Sequence, residues 1–79
     1  MKIKLLYFAS LADRAGRSAE TRDTSAATPQ DLYAEVAREH EFAFPSDHVR
    51  VAINGALAGW DRALAEGDEV VFLPPVSGG

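Results

Sequence analysis

Thr28-Pro29-Gln30-Asp31-Leu32-Tyr33-Ala34-Glu35-Val36-Ala37-Arg38-Glu39-His40 is the stretch on which the fold turns. Thr28 is a good helix N-cap, and Pro29 suits the first helical position, where its missing N–H has no partner to lose. Asp31 stands third, where a carboxylate can reach back to the cap. Leu32 and Val36, flanked by Tyr33 and Ala37, then draw one apolar stripe at helical spacing. Glu39-His40-Glu41 is polar and Pro45 cannot continue a helix, so the pattern predicts an end near residue 40.

On the N-terminal side, Lys2 to Phe8 alternates as a strand, with Ile3, Leu5 and Tyr7 on one face and Lys2, Lys4, Leu6 and Phe8 on the other. Ser10 is placed to cap a short helical turn, Leu11 to Ala15, which Gly16 would end. Ser18 to Thr24 reads as a second strand with almost no large apolar residue, which suits an edge. On the C-terminal side, Val49 to Ile53 alternates, Asn54-Gly55 is a strong hairpin signal, and Ala56 to Ala58 returns. Asp61 to Ala65 connects to a tight turn at Glu66-Gly67-Asp68. The last strand, Glu69 to Leu73, sets Val70 and Phe72 against Val71 and Leu73, and Pro74-Pro75 stops it.

An α+β fold follows, with one main helix on one face of a mixed sheet of about five strands. The first two strands are neighbours in sequence and the last must return to the middle, which is the order of a β-grasp, ubiquitin-like fold. Residues 1–79 are expected to form one such domain, with a flexible tail over 74–79.

Composition narrows the function. The 79 residues carry no cysteine, so no disulfide, thiolate metal site or cysteine nucleophile is available. The formal net charge is −4 without a cluster of Lys and Arg, which argues against nucleic acid and for a protein partner with a basic surface. No apolar run is long enough for a membrane span, and the start is too short in its apolar run for a secretory signal; the expected compartment is the cytoplasm.

The tail Pro74-Pro75-Val76-Ser77-Gly78-Gly79 is the least ordinary feature. Two prolines hold the departing chain extended, and six residues reach roughly 20 Å. The final two lack side chains, so their carboxylate fits a tunnel too narrow for other residues. A frayed terminus reads the same way on physical grounds alone. Beside the tail, Leu6, Phe8, Val71 and Leu73 face away from the helix, and Leu57 is expected to join Phe8 and Leu73 in one apolar partner-binding patch. The alternative is a curved core that swallows them.

Read in order, Leu6-Tyr7-Phe8-Ala9-Ser10-Leu11, Thr28-Pro29-Gln30-Asp31-Leu32, Val51-Ala52-Ile53-Asn54-Gly55, Leu64-Ala65-Glu66-Gly67-Asp68-Glu69-Val70 and the closing Pro74 to Gly79 resemble the sulfur-carrier (small) subunits of molybdopterin synthases. Ala12-Asp13 departs from the Arg-Glu common there, on a surface turn. The resemblance implies that an activating enzyme of the ubiquitin-activating type, an adenylyltransferase, uses ATP to adenylate Gly79. A sulfurtransferase then supplies a persulfide, leaving a Gly79 thiocarboxylate. In a heterotetramer with the large catalytic subunit, that sulfur passes to cyclic pyranopterin monophosphate to build the molybdopterin dithiolene. Gly78 permits close approach, and Pro74, Pro75, Val76 and Ser77 join Phe8, Leu57 and Leu73 as partner contacts. The catalytic groups are expected on the large subunit, and no cofactor or metal on this chain. Alternatives are a carrier for thiamin thiazole or thionucleoside synthesis, or a ubiquitin-like interaction module without sulfur chemistry.

The remaining residues point to structure. His40 and His48 lack a third ligand at metal spacing and are expected as solvated loop residues. Asp68-Glu69 reads as turn chemistry and Trp60 as a lid over the small core. Ser10, Asp13 and His40 have no spacing that supports a triad.

Overall fold

The computed structural model describes residues 1–75. In chain order it holds β1 (Lys2–Tyr7), α1 (Ala9–Ala15), β2 (Ala19–Asp23), α2 (Pro29–His40), a single 3-10 turn (Ser46–His48), β3 (Arg50–Ile53), β4 (Ala56–Ala58) and β5 (Glu69–Leu73). The sheet order is β2-β1-β5-β3-β4. β1 and β5 run parallel at its centre, and the other pairs are antiparallel. The last strand does return to the middle, and the β-grasp order expected from the pattern is the one observed.

The alternation of β1 is read out directly. Ile3, Leu5 and Tyr7 are buried, as are Val70 and Phe72 on β5 and Val51 and Ile53 on β3. Against this face α2 sets Leu32, Tyr33 and Val36, and α1 adds Leu11. Thr28 Oγ1 accepts from the Asp31 N–H at 3.3 Å, so the N-cap forms as the sequence predicts. Trp60 stacks on Phe72 with ring centroids 6.0 Å apart and meets Tyr33 edge-on at 5.6 Å, closing the core as a lid. At the hairpin, Asn54 and Gly55 both have positive φ, 52° and 88°, the conformation that Asn-Gly accommodates at least cost.

Three local expectations need correction. Ser10 does not cap α1: the N-cap is Phe8, with no side-chain cap bond, and Ser10 lies inside the helix. Because Phe8 serves there, β1 ends one residue early, at Tyr7. Gly16 does end α1, in the left-handed region with φ 77°. His40 is not a solvated loop residue. It closes α2, its side chain only 15 % exposed and edge-on to the Tyr7 ring. Aromatic packing explains this: Phe42 follows the helix end and contacts Tyr7, Tyr33 and His40, drawing the last turn onto the sheet. His48, in the 3-10 turn, is exposed as expected.

Candidate functional site

The sheet has one covered face and one open face, and the register fixes what the open face displays. Ala19, Leu6, Val71, Ala52 and Leu57 pair in succession from β2 to β4, so one apolar row crosses all five strands. Towards the start of β5 the next pair is charged, Lys4 with Glu69, bridged at 3.8 Å. Towards its end, Leu73 pairs with Arg50. Phe8 there is 52 % exposed, and Leu57 on the edge strand 65 %. Large apolar side chains left exposed on so small a domain are a usual mark of a partner surface.

Phe8, Leu73, Pro74 and Pro75 come together. They line an open groove of about 940 Å³ with Phe44 and Arg50 at the end of the domain from which β5 departs. Leu57 does not line it. It borders a second, smaller groove with Trp60, and Val49 and Arg50 belong to both. The predicted patch is therefore split: Phe8 and Leu73 border one groove and Leu57 another at the sheet edge, and the two meet at Asp47, Val49 and Arg50. Val76, Ser77, Gly78 and Gly79 lie outside the described residues.

The opposite end of β5 is closed by polar contacts. The Asp68 carboxylate accepts from Asn54 Nδ2 at 2.9 Å, the Ala65 N–H at 2.9 Å and Arg62 Nη1 at 3.1 Å. Asn54 Oδ1 in turn accepts from the Glu69 N–H at 2.9 Å. Hydrogen bonds from Asn54 and the Ala65 N–H, reinforced by Arg62, hold the Asp68 carboxyl below the usual carboxylate range. The β3–β4 hairpin and the β4–β5 connection are tied at one buried carboxylate, so Asp68 is turn chemistry, as its place beside Gly67 suggests.

A second polar cluster joins β2 to α2. Arg22 Nη1 donates to Glu35 at 2.9 Å, Nη2 donates to Glu39 and lies 3.6 Å from Glu20, and Thr24 Oγ1 donates to Glu35 at 2.8 Å. Tyr7 donates to Glu20 at 2.6 Å. Desolvation and this bond raise the phenol's pKa. Burial opposes the Arg22 charge, but the bonds it donates to Glu39 and Glu35 outweigh that and raise its pKa. Glu20, Glu39 and His40 bring possible ligand atoms within 4.8 Å of one another. The Arg22 guanidinium already supplies the cation among these carboxylates, so the cluster reads as a structural ion network. Its members come from separate elements, and spacing in sequence gives no sign of it.

Among the described residues no helix is long and apolar enough to cross a membrane. The geometry thus leaves apolar side chains exposed beside the end of β5, and its polar clusters are spent on structure. Known proteins resemble this chain in sequence and shape. The chain is 32 % identical over 80 residues to the molybdopterin synthase sulfur carrier subunit of Escherichia coli (strain K12), covering 98 % of this chain and 99 % of that one. The corresponding subunit of Haemophilus influenzae is 33 % identical over the same shares. The crystal structure of SAMP1 from Haloferax volcanii superposes with a TM-score of 0.81 at 32 % identity, over 100 % of both chains. The sequence pattern of the ThiS family matches residues 5–79, and the chain belongs to that family.

Proposed function

We propose that the chain is the sulfur carrier of a molybdopterin synthase, with the Gly79 carboxylate as its working group. The observation that carries this reading is the full-length likeness to sulfur carrier subunits, which extends through the Gly-Gly end. A carboxylate is a poor electrophile because its charge is delocalised. Attack of its oxygen on the α-phosphorus of ATP, in an activating enzyme, expels pyrophosphate and leaves an acyl adenylate. A persulfide sulfur displaces AMP, and a thiol then cleaves the sulfur–sulfur bond to leave the thiocarboxylate. The sulfur rides on the main chain, so the absence of cysteine costs the carrier nothing.

The division of labour follows. Gly79 reacts, Gly78 permits close approach, and the acids, bases and oxyanion donors belong to partner enzymes. Phe8, Leu57, Leu73, Pro74 and Pro75, with Val76 and Ser77, make the partner contacts. The large catalytic subunit, an adenylyltransferase of the ubiquitin-activating type and a sulfurtransferase are the partners this chemistry requires. No group of this chain is needed to hold the ATP, and the sulfur acceptor is cyclic pyranopterin monophosphate.

The test is mass spectrometry of the full chain after incubation with ATP, activating enzyme and sulfur donor. One oxygen at Gly79 should be replaced by sulfur, and deletion of Gly79 should abolish the change. An unmodified mass with active partners sinks the proposal. A second reading, attachment through Gly79 to other proteins, draws on the likeness to the small archaeal modifier protein. In that case the acyl adenylate is captured by an amine, and Gly79 is found on a lysine of another protein.

A further inference from the structure

Arg50 is out of keeping with its surroundings. The chain carries a net charge of −4, and the open-face residues around Arg50, namely Phe8, Val71 and Leu73, are apolar, while Ser10, Asp47 and His48 supply the polar part of the groove lining. Arg50 is exposed and lies opposite Leu73 in the β3–β5 register. It borders both grooves, between the Phe8 and Leu73 side and the Leu57 side. Its guanidinium makes no ion pair among the described residues; the same holds for Arg14, Arg17 and Arg38, but of these four only Arg50 borders the grooves, while Arg22 and Arg62 have carboxylate partners. Asp47 also borders both grooves, yet it lies beyond ion-pair distance of Arg50.

A guanidinium costs less to desolvate than an ammonium, and its planar fork matches a carboxylate. Arginine within an apolar surface is accordingly a common anchor in protein interfaces. Net charge and local charge here make opposite demands. The acidic chain is steered towards a basic partner, but a contact that covers Arg50 with a second cation leaves that charge buried and unpaired, which is costly.

We propose that Arg50 is the specificity-determining contact of the docking face. Its partner is a carboxylate on an otherwise basic protein surface, beside an apolar side chain that enters the Phe8–Leu73 groove. Overall field then brings the two proteins together, and the single acid fixes register about the departing tail. This inference rests on the reading of the chain as a synthase subunit, and the large subunit is the partner to which it assigns the carboxylate.

Calorimetric titration of the full chain into the large synthase subunit tests it, with wild type, Arg50→Ala, Arg50→Lys and Arg50→Glu compared at low and high salt. Arg50→Ala should weaken binding about tenfold or more, and Arg50→Glu further still. Arg50→Lys should fall between, because it keeps the charge but not the fork. Added salt should narrow the gap between wild type and Arg50→Glu. Melting temperatures should not change, since the Arg50 side chain makes no ion pair or hydrogen bond among the described residues, so loss of binding is not loss of structure. Wild-type affinity in Arg50→Ala, or tighter binding, overturns the assignment while leaving the carrier reading intact. A dimer of this chain that Arg50→Glu dissociates also overturns it, by giving the groove to a second copy. Failure of wild type itself to bind overturns the synthase reading and the partner assignment together.

Discussion

The two ends of β5 are built for different purposes. At the Glu69 end, Asp68 accepts three hydrogen bonds, Asn54 Oδ1 accepts another from the Glu69 N–H, and Lys4 pairs with Glu69. At the Leu73 end the open face presents Phe8, Leu73, Pro74 and Pro75 around a groove. The same strand thus passes from a region where polar groups are consumed by the fold to one where apolar groups are left over. The fold is fastened at one end, and the other is the end to which the proposed function assigns the partner. Substitutions at the first should cost stability and spare binding, and those at the second should do the reverse.

Asp68→Asn attacks the fastened end and has the largest expected effect. Asn keeps the size but loses the charge that three donors converge on, so unfolding should be easier by about 1–3 kcal/mol at neutral pH. Denaturant titration measures it. The pH dependence gives a second readout. A carboxyl whose folded pKa is lowered contributes stability that is complete above its unfolded value, about 4, and is lost as pH falls through the folded value. The wild type should therefore lose stability below pH 4 more steeply than Asp68→Asn. Equal acid limbs would show that the carboxylate carries no such linkage.

Leu73→Ala attacks the other end. Affinity for the large subunit should fall by more than about 1 kcal/mol, with a smaller stability loss than Asp68→Asn causes. Unchanged affinity in a folded variant would remove Leu73 from the docking surface and break the contrast between the two ends.

These ends were not equally legible in the sequence. The alternation of β1 and β5, the Thr28-Pro29 cap and the Asn54-Gly55 turn are local signals, and each appears where the pattern places it. The chemistry of Asp68 was legible because Gly67 marks the turn. β2 was faint for a physical reason: the side chains it turns towards the helix are Glu20 and Arg22, which pair with Tyr7, Glu35 and Glu39. Apolar alternation cannot reveal a strand whose covered side is an ion network. His40 was misplaced because its burial depends on Phe42, across the helix end, and on Tyr7, distant in sequence. The separation of Leu57 from Phe8 and Leu73 depends on strand order and register together, since β3 and β5 lie between β4 and β1.

The smallest expected effect separates the covered and open sides of the groove end itself. Glu41 follows α2 with φ 57°, and the Phe42 N–H beyond it donates to Ala37 O at 3.0 Å. This is the left-handed helix end that glycine usually occupies, and a residue with a Cβ is strained there by about 1 kcal/mol. Glycine in the same place relieves that strain but loosens the unfolded chain, so the gain should be smaller than the strain removed. Glu41→Gly should raise stability by roughly 0.5 kcal/mol in denaturant titration. The Arg14 bond uses the Glu41 backbone oxygen and survives the change. Phe42 and Phe44 connect this helix end to the core and to the groove wall. Affinity for the large subunit should nevertheless stay within twofold of wild type, because the helix end supports the groove from behind and leaves its open side untouched. A stability gain accompanied by weaker binding would mean that Glu41 reaches the partner, and that the helix side of this end belongs to the docking surface as well.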